Sequence, residues 1–272
     1  MKSNKAIGIF GPIIGTVVII FVLSPLVVVT AISFTGASFI SFPWEHGWSL
    51  RWFTQLAQQT DFLTASINSV TLAAGSALLS IAIGVPAAVA FARHTFPGKS
   101  ALLLYGSSPL FVPLLLTGLA LLIVLSSLGQ GPTPVALLFG FAVVNLPFVL
   151  RIAIATLVDF NVDQENAANN LGASALQAFV RVTLPQIGPG IVSAFLLAFI
   201  IAFDSVPLAV FFVTPDYDLL PVKLFFYAQT NFDPLAAAVS VAMIGFSIVL
   251  ILVIEVTFGL EKVFGGGRSS AM

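Results

Sequence analysis

Residues 100–150 contain no Asp, Glu, Lys or Arg. A charge-free run of this length cannot clothe a water-facing domain, whose surface needs charge at short intervals. A helix crossing a bilayer needs about 20 mostly apolar residues, so the run is too long for one span and fits two. The chain repeats the pattern elsewhere: residues 6–44, 62–92, 182–203 and 234–254 are also free of these four residue types. Only 8% of the 272 residues are charged and 58% are apolar, against about 25% charged in an ordinary soluble domain. Mean hydropathy is +1.09. Together these exclude a soluble enzyme and a disordered chain. The runs are continuous and long, whereas barrel strands are about 10 residues of alternating polarity. The sequence predicts an all-α, polytopic membrane protein.

Cutting at the charges gives six spans. The first is Ile7 to Ile32 and the second is residues 62–92. The 100–150 run divides at Gly129-Gln130-Gly131-Pro132-Thr133-Pro134 into spans three and four. Span five runs from residue 182 through Val213, and span six covers 234–254. Pro25, Pro86, Pro109, Pro113, Pro147 and Pro207 fall within these spans. Prolines are tolerated in spans where neighbouring helices re-satisfy the freed carbonyls. With six spans both termini share a side, and that side collects Lys2, Lys5, Arg93, Lys99, Arg151, Arg181, Lys262 and Arg268. The other side has Arg51 and Lys223. This bias predicts cytoplasmic termini. The first span lacks a small-residue cleavage site and reads as a retained helix. The outer segment 34–61 carries Trp44, Trp48 and Trp52, suited to the membrane interface.

The net charge of −1 offers no basic surface for nucleic acid, and no nucleic-acid partner is expected. With no cysteine and only His46 and His94, no metal site is expected either. Gly98-Lys99-Ser100 imitates a phosphate-binding loop. Such a loop needs glycine where Arg93 stands and a preceding strand, so no nucleotide binding is assigned to it.

The inner segment from about Asp159 to Gln186 is where a docking surface would lie. Ala167, Ala168 and Leu171 share one helical face. Gly172 can supply the positive φ that ends that helix. Ser174 followed by Gln177 is a capping-box signature opening a second helix, with Leu176, Phe179 and Val180 on its apolar face. Pro185 is expected to break the chain before span five. A small apolar knob away from lipid suggests another protein as partner.

This segment resembles the EAA loop of the membrane subunits of type I ATP-binding cassette (ABC) importers. That pattern is Glu-Ala-Ala, three residues, Gly, nine residues, then Ile-x-Leu-Pro. Ala167, Ala168, Gly172, Val182, Leu184 and Pro185 fall in register, followed by Pro189-Gly190-Ile191. The glutamate position holds Asn166, with Glu165 one residue earlier. Asn68-Ser69, Gly84-Val-Pro-Ala-Ala, Phe96-Pro-Gly-Lys99, Phe203-Asp204, Leu220-Pro221-Val222 and Asp233-Pro234 extend the likeness over roughly residues 60–258. The last three, with Ala237-Ala238, resemble the polyamine-permease branch in particular. That branch includes permeases for opines, aminoethylphosphonate and related small solutes.

The resemblance implies the type I importer transmembrane fold. It implies a first helix and periplasmic loop over 1–60, a permease core over 61–263 with coupling helices at 161–180, and a cytoplasmic tail at 264–272. It implies a non-catalytic subunit in the bacterial inner membrane that needs no cofactor of its own. ATP and Mg would be bound by two cytoplasmic ATPase partner subunits. A second permease and a periplasmic solute-binding protein would complete the assembly. Coupling to the ATPases is carried over to Glu165, Asn166, Ala167, Ala168, Leu171, Gly172, Phe179, Leu184 and Pro185. In this family the glutamate is expected to bond a basic residue of the ATPase; here either Glu165 takes that role or the contact is weaker.

Asp204 stands within predicted span five, followed by Ser205. An ionised Asp at a span centre costs roughly 2.5–3.5 kcal/mol, so Asp204 should face a wet or protein-lined interior. It reads either as a polar point on the solute pathway, attracting a cationic amine, or as a hydrogen-bond anchor at a kink. Asn145, before Pro147, is a further pathway candidate. The rival reading, a secondary transporter or channel acting alone, would favour paired repeats and paired intramembrane charges. Neither is evident in the sequence.

Overall fold

The computed structural model describes residues 4–258, and it is built of helices. The tail expected at 264–272, the predicted end of the core at 263, and Lys2, Lys262 and Arg268 lie outside the described residues. The chain forms two compact units, one of residues up to Leu63 with Leu224–Phe246, the other of Thr64–Lys223 with the residues after Phe246.

Spans one, two and six appear close to their predicted bounds, and span four appears with its inner end carried past residue 150, through Arg151, to Val158. They are α1 (Asn4–Ser33), α4 (Thr60–Arg93), α7 (Pro134–Val158) and α13 (Leu235–Phe258). Between α1 and α4 lie the short α2 (Pro43–His46) and α3 (Arg51–Gln58). The predicted turn before α7 is built as expected. The Thr133 side chain accepts from the Ala136 N–H at 3.2 Å and Pro134 takes the first helical position, a cap followed by a residue with no N–H to satisfy.

Two spans differ from expectation. Span three is interrupted. It consists of α5 (Lys99–Gly106), a 3₁₀ turn at Ser108–Phe111, and α6 (Leu114–Ser127). Pro109 and Pro113 are the cause. Val112, directly before Pro113, is forced to an extended φ of −99° and ψ of 126°. The 14 residues of α6 reach only about 21 Å, short of a bilayer core of about 30 Å. Among the described residues, five helices are therefore long and apolar enough to cross a membrane, with α6 as a shorter sixth apolar helix.

Span five begins earlier and ends sooner. Helix runs unbroken from Ala175 to Phe203, as α9 (Ala175–Ala178), a π-helical turn at Phe179–Thr183, and α10 (Leu184–Phe203). Pro185 does not break it, because a wide π turn just before it absorbs the missing N–H. The upper end stops at Phe203 rather than Val213. Pro207 would collide with the carbonyl four residues back, which is that of Phe203. The chain turns through Asp204 and Ser205 and resumes as α11 (Val206–Ala209). Asp204 is therefore a helix end, not a mid-helix charge.

Within the larger unit α7 and α10 pack face to face. A Cβ at Gly190 would overlap the Thr156 side chain, so glycine sets how closely these two helices approach. The buried cluster beside this contact comprises Val85, Ala88, Leu150, Ala153, Leu157, Phe160 and Ile187. It joins α4, α7 and α10. Asn68 donates to the Asp218 carbonyl at 3.0 Å, and the Ser69 hydroxyl accepts from the Leu220 N–H at 2.8 Å. The pair recognised in the sequence thus fastens α4 to the start of α12 (Leu220–Thr230). In the smaller unit Trp52 is buried while Trp44 and Trp48 are exposed, so one of the three predicted interfacial tryptophans is core. Phe42 stacks on Trp44 at 4.3 Å, and Arg51 donates to the Gly36 carbonyl at 2.8 Å.

Candidate functional site: the 161–186 segment

The two short helices predicted here are present. Asn161 opens the first by accepting from the Asp163 N–H at 2.9 Å. This helix, α8 (Asp163–Asn170), ends at Gly172, which adopts φ +94°. That conformation strains any residue with a Cβ and is the reason glycine stands there. The Ala173 N–H reaches back to the Ala168 carbonyl and closes the turn. The capping box is complete: Ser174 accepts from the Gln177 N–H, and the Gln177 side chain accepts from the Ser174 N–H at 2.9 Å.

The candidate coupling residues separate into two sets. Asn166, Ala167, Leu171, Gly172 and Pro185 are exposed and Ala168 is half-buried. Leu171 is 89% exposed and Leu176 72% exposed. These side chains, with Val180, form an uncovered apolar knob beside the glycine turn. Glu165, Phe179 and Leu184 turn the other way. Leu184 packs against the cluster joining α4, α7 and α10, and Phe179 lies under Arg93, whose guanidinium carbon is 5.9 Å from the ring centroid.

Glu165 is 8% exposed. Arg93, the last residue of α4, grips its carboxylate with two parallel hydrogen bonds, Nη1 to Oε1 at 2.8 Å and Nη2 to Oε2. The Thr183 hydroxyl donates to the same Oε2 and accepts from Arg93 Nη2 at 3.3 Å. Burial works to raise the Glu165 carboxyl, but the Arg93 and Thr183 hydrogen bonds and the Arg93 charge outweigh it and hold it below the usual value of 4.5. A second tie joins the Gln186 amide to the Gln164 side chain.

The pathway candidates do not meet. Asn145 is fully buried and donates to the Ala198 carbonyl of α10 at 3.0 Å. Asp204, exposed, lies about 9 Å farther along the same helix. Ser205 is buried, and its hydroxyl has no hydrogen-bond partner among the described residues. Sequence reasoning places Arg93 among the cytoplasmic charges and uses it to exclude the phosphate loop, but assigns neither Arg93 nor Thr183 to this site. A basic residue closing a long helix, and a threonine two positions before the proline of the motif, were the available signals. The imitation phosphate loop is a turn between two helices, with Gly98 at φ +85° before α5.

Comparison with known proteins identifies the architecture. Residues 80–260 match the family described as "binding-protein-dependent transport system inner membrane component". The chain is 28% identical to the spermidine/putrescine transport system permease protein PotC of Escherichia coli K12, over 87% of this chain and 89% of that protein. It is 28% identical to the putrescine transport system permease protein PotI of the same organism, over 83% and 82%. Among solved structures it resembles a bacterial alginate ABC transporter, with a TM-score of 0.70, 16% identity, and coverage of 97% of this chain and 96% of that one. The fold is thus the transmembrane fold of type I ABC importers, and the reading as a transporter or channel acting alone falls away. With two thirds of its length matched, the chain belongs to the family of binding-protein-dependent transport system inner membrane components, multi-pass permease subunits of ABC importers.

Proposed function

We propose that this permease subunit pairs with a second one to form a path from periplasm to cytoplasm for a small cationic amine. Its partners would be two cytoplasmic ATPase subunits, which bind ATP and Mg, and a periplasmic solute-binding protein. The amine reading rests on the likeness to the two polyamine permeases and on Asp204, an exposed acid at the end of α10. The positive-side bias places both termini and the 161–186 segment in the cytoplasm. The observation that carries the coupling role is the exposed knob of Leu171, Leu176 and Val180 beside the Gly172 turn. The helix Ala175–Phe203 has 29 residues, more than the about 20 a span needs, so its first turns with Leu176 and Val180 can project beyond the bilayer, where an exposed apolar surface suits burial in an ATPase groove. Docking there would pass closure of the ATPases to α10, because α9 runs into α10 without a break. The two-state element would be the permease pair itself.

Ala168→Arg or Gly172→Pro is expected to abolish uptake and solute-stimulated ATP hydrolysis while the protein still accumulates in the membrane. Survival of both activities would refute the docking role. Asp204→Ala is expected to raise the KM for a polyamine with the complex and its stimulated ATP hydrolysis intact. Unchanged uptake kinetics would refute a role for Asp204 on the solute path.

A further inference from the structure

In the coupling reading above, on which this inference rests, the acid of the loop would be offered to a basic residue of the ATPase. The geometry points to a different use: we infer that Glu165 is an internal strut, held by Arg93 and Thr183 as positioning residues, and is not the contact offered to the ATPase. Three observations carry this. Both carboxylate oxygens are engaged within the chain, by a bidentate guanidinium and a hydroxyl. Glu165 is buried, whereas its neighbours Asn166 and Ala167, with Leu171 beyond, are exposed. The strut also joins the places that must move together: the end of α4, the first turn of α8, and the π-helical turn feeding α10. A π turn inside a long helix is a local irregularity found often at functional positions. Here it sets the Thr183 hydroxyl between Glu165 and Arg93 and leaves Phe179 beneath the guanidinium. Asn166, standing where the family has its acid, brings no charge to the exposed face.

Charge reversal in the assembled transporter separates the two uses of Glu165. Arg93→Glu and Glu165→Arg are each expected to lower the ratio of binding-protein-stimulated to basal ATP hydrolysis, and uptake with it, about tenfold. Basal hydrolysis and co-purification of the ATPase should be retained. The Arg93→Glu/Glu165→Arg double variant should return the ratio to within about threefold of the parent, because the pair is internal. If Glu165 met a basic residue of the ATPase, the swap would set arginine against it. A double variant no better than the worse single, or single variants with normal stimulation, overturns the strut. If the reversed singles fail to accumulate, Thr183→Val and Glu165→Gln form a milder cycle on the same ratio. Losses smaller than additive support the strut, and strictly additive losses overturn it. The docking reading fails separately, if Leu171→Asp with Leu176→Asp leaves the ATPase in the complex.

Discussion

Glu165 and Asn145 each tie together helices far apart in sequence, and the chain treats them differently. Both Glu165 oxygens have donors. Asn145, with no exposed surface, donates once to the Ala198 carbonyl, and its Oδ1 has no partner among the described residues. The contrast follows from cost. A carboxylate withdrawn from water without compensation costs several kcal/mol, so it persists only where its hydrogen bonds are complete. A neutral amide missing one bond costs far less and can remain between helices. Glu165 itself lies outside the predicted spans and Asn145 inside one, which is the order that low dielectric demands.

The comparison is broken hardest by removing the acid. Glu165→Ala leaves Arg93, whose side chain is 22% exposed, without its anion. The detergent-solubilised complex should lose about 2 kcal/mol of stability, the penalty for orphaning one partner reduced by the partial exposure of the other. Thermal inactivation curves measure it. The same node predicts a pH dependence. Because the folded carboxyl lies below its usual value of 4.5, the unfolded chain binds the proton first as pH falls. The stabilisation is present above about 4.5 and is lost as pH drops through the folded value. Glu165→Gln should flatten that acid limb. An unchanged limb would mean the carboxylate contributes nothing to stability.

The difference between the two nodes also marks what sequence can carry. Four of the spans, the turn at residues 129–134, the Gly172 turn and the Ser174–Gln177 box were legible, because each depends on residues within a few positions of one another. The break in span three was hidden by its hydropathy. Its cause is Pro109 and Pro113 acting on Val112, and a proline in an apolar run reads equally as a tolerated kink. The early end of α10 is the same case, with Pro207 deciding against an apolar run that continues past it. The Arg93–Glu165–Thr183 node was not legible. Its members are separated by 72 and 18 positions, and only packing of α4 against the cluster around Leu157 and Ile187 brings them together. Asn145 was visible as a polar residue in a span, but whether it faces a pathway or another helix depends on the rotation of α7.

Asn145→Leu sharpens the comparison from the other side. It removes one hydrogen bond between α7 and α10 and also the amide oxygen that lacks a partner. Interhelical bonds in membranes average about 0.6 kcal/mol, so the loss of stability should be of that order. Uptake retained at parental rates assigns Asn145 to helix packing. Uptake lost at near-parental stability would return it to the pathway.

The smallest effect is expected at Ser205, which is buried with its hydroxyl unpaired among the described residues. Ser205→Ala breaks no hydrogen bond seen in the structure and takes away a desolvated polar group, so stability should stay within about 0.5 kcal/mol of the parent or rise slightly. Ser205 directly follows Asp204, where α10 ends and the backbone turns. If a passing amine takes up the Ser205 oxygen, Ser205→Ala should lower uptake several-fold at unchanged stability. Parental uptake would leave Asp204 as the only polar side chain of this turn that the solute could use.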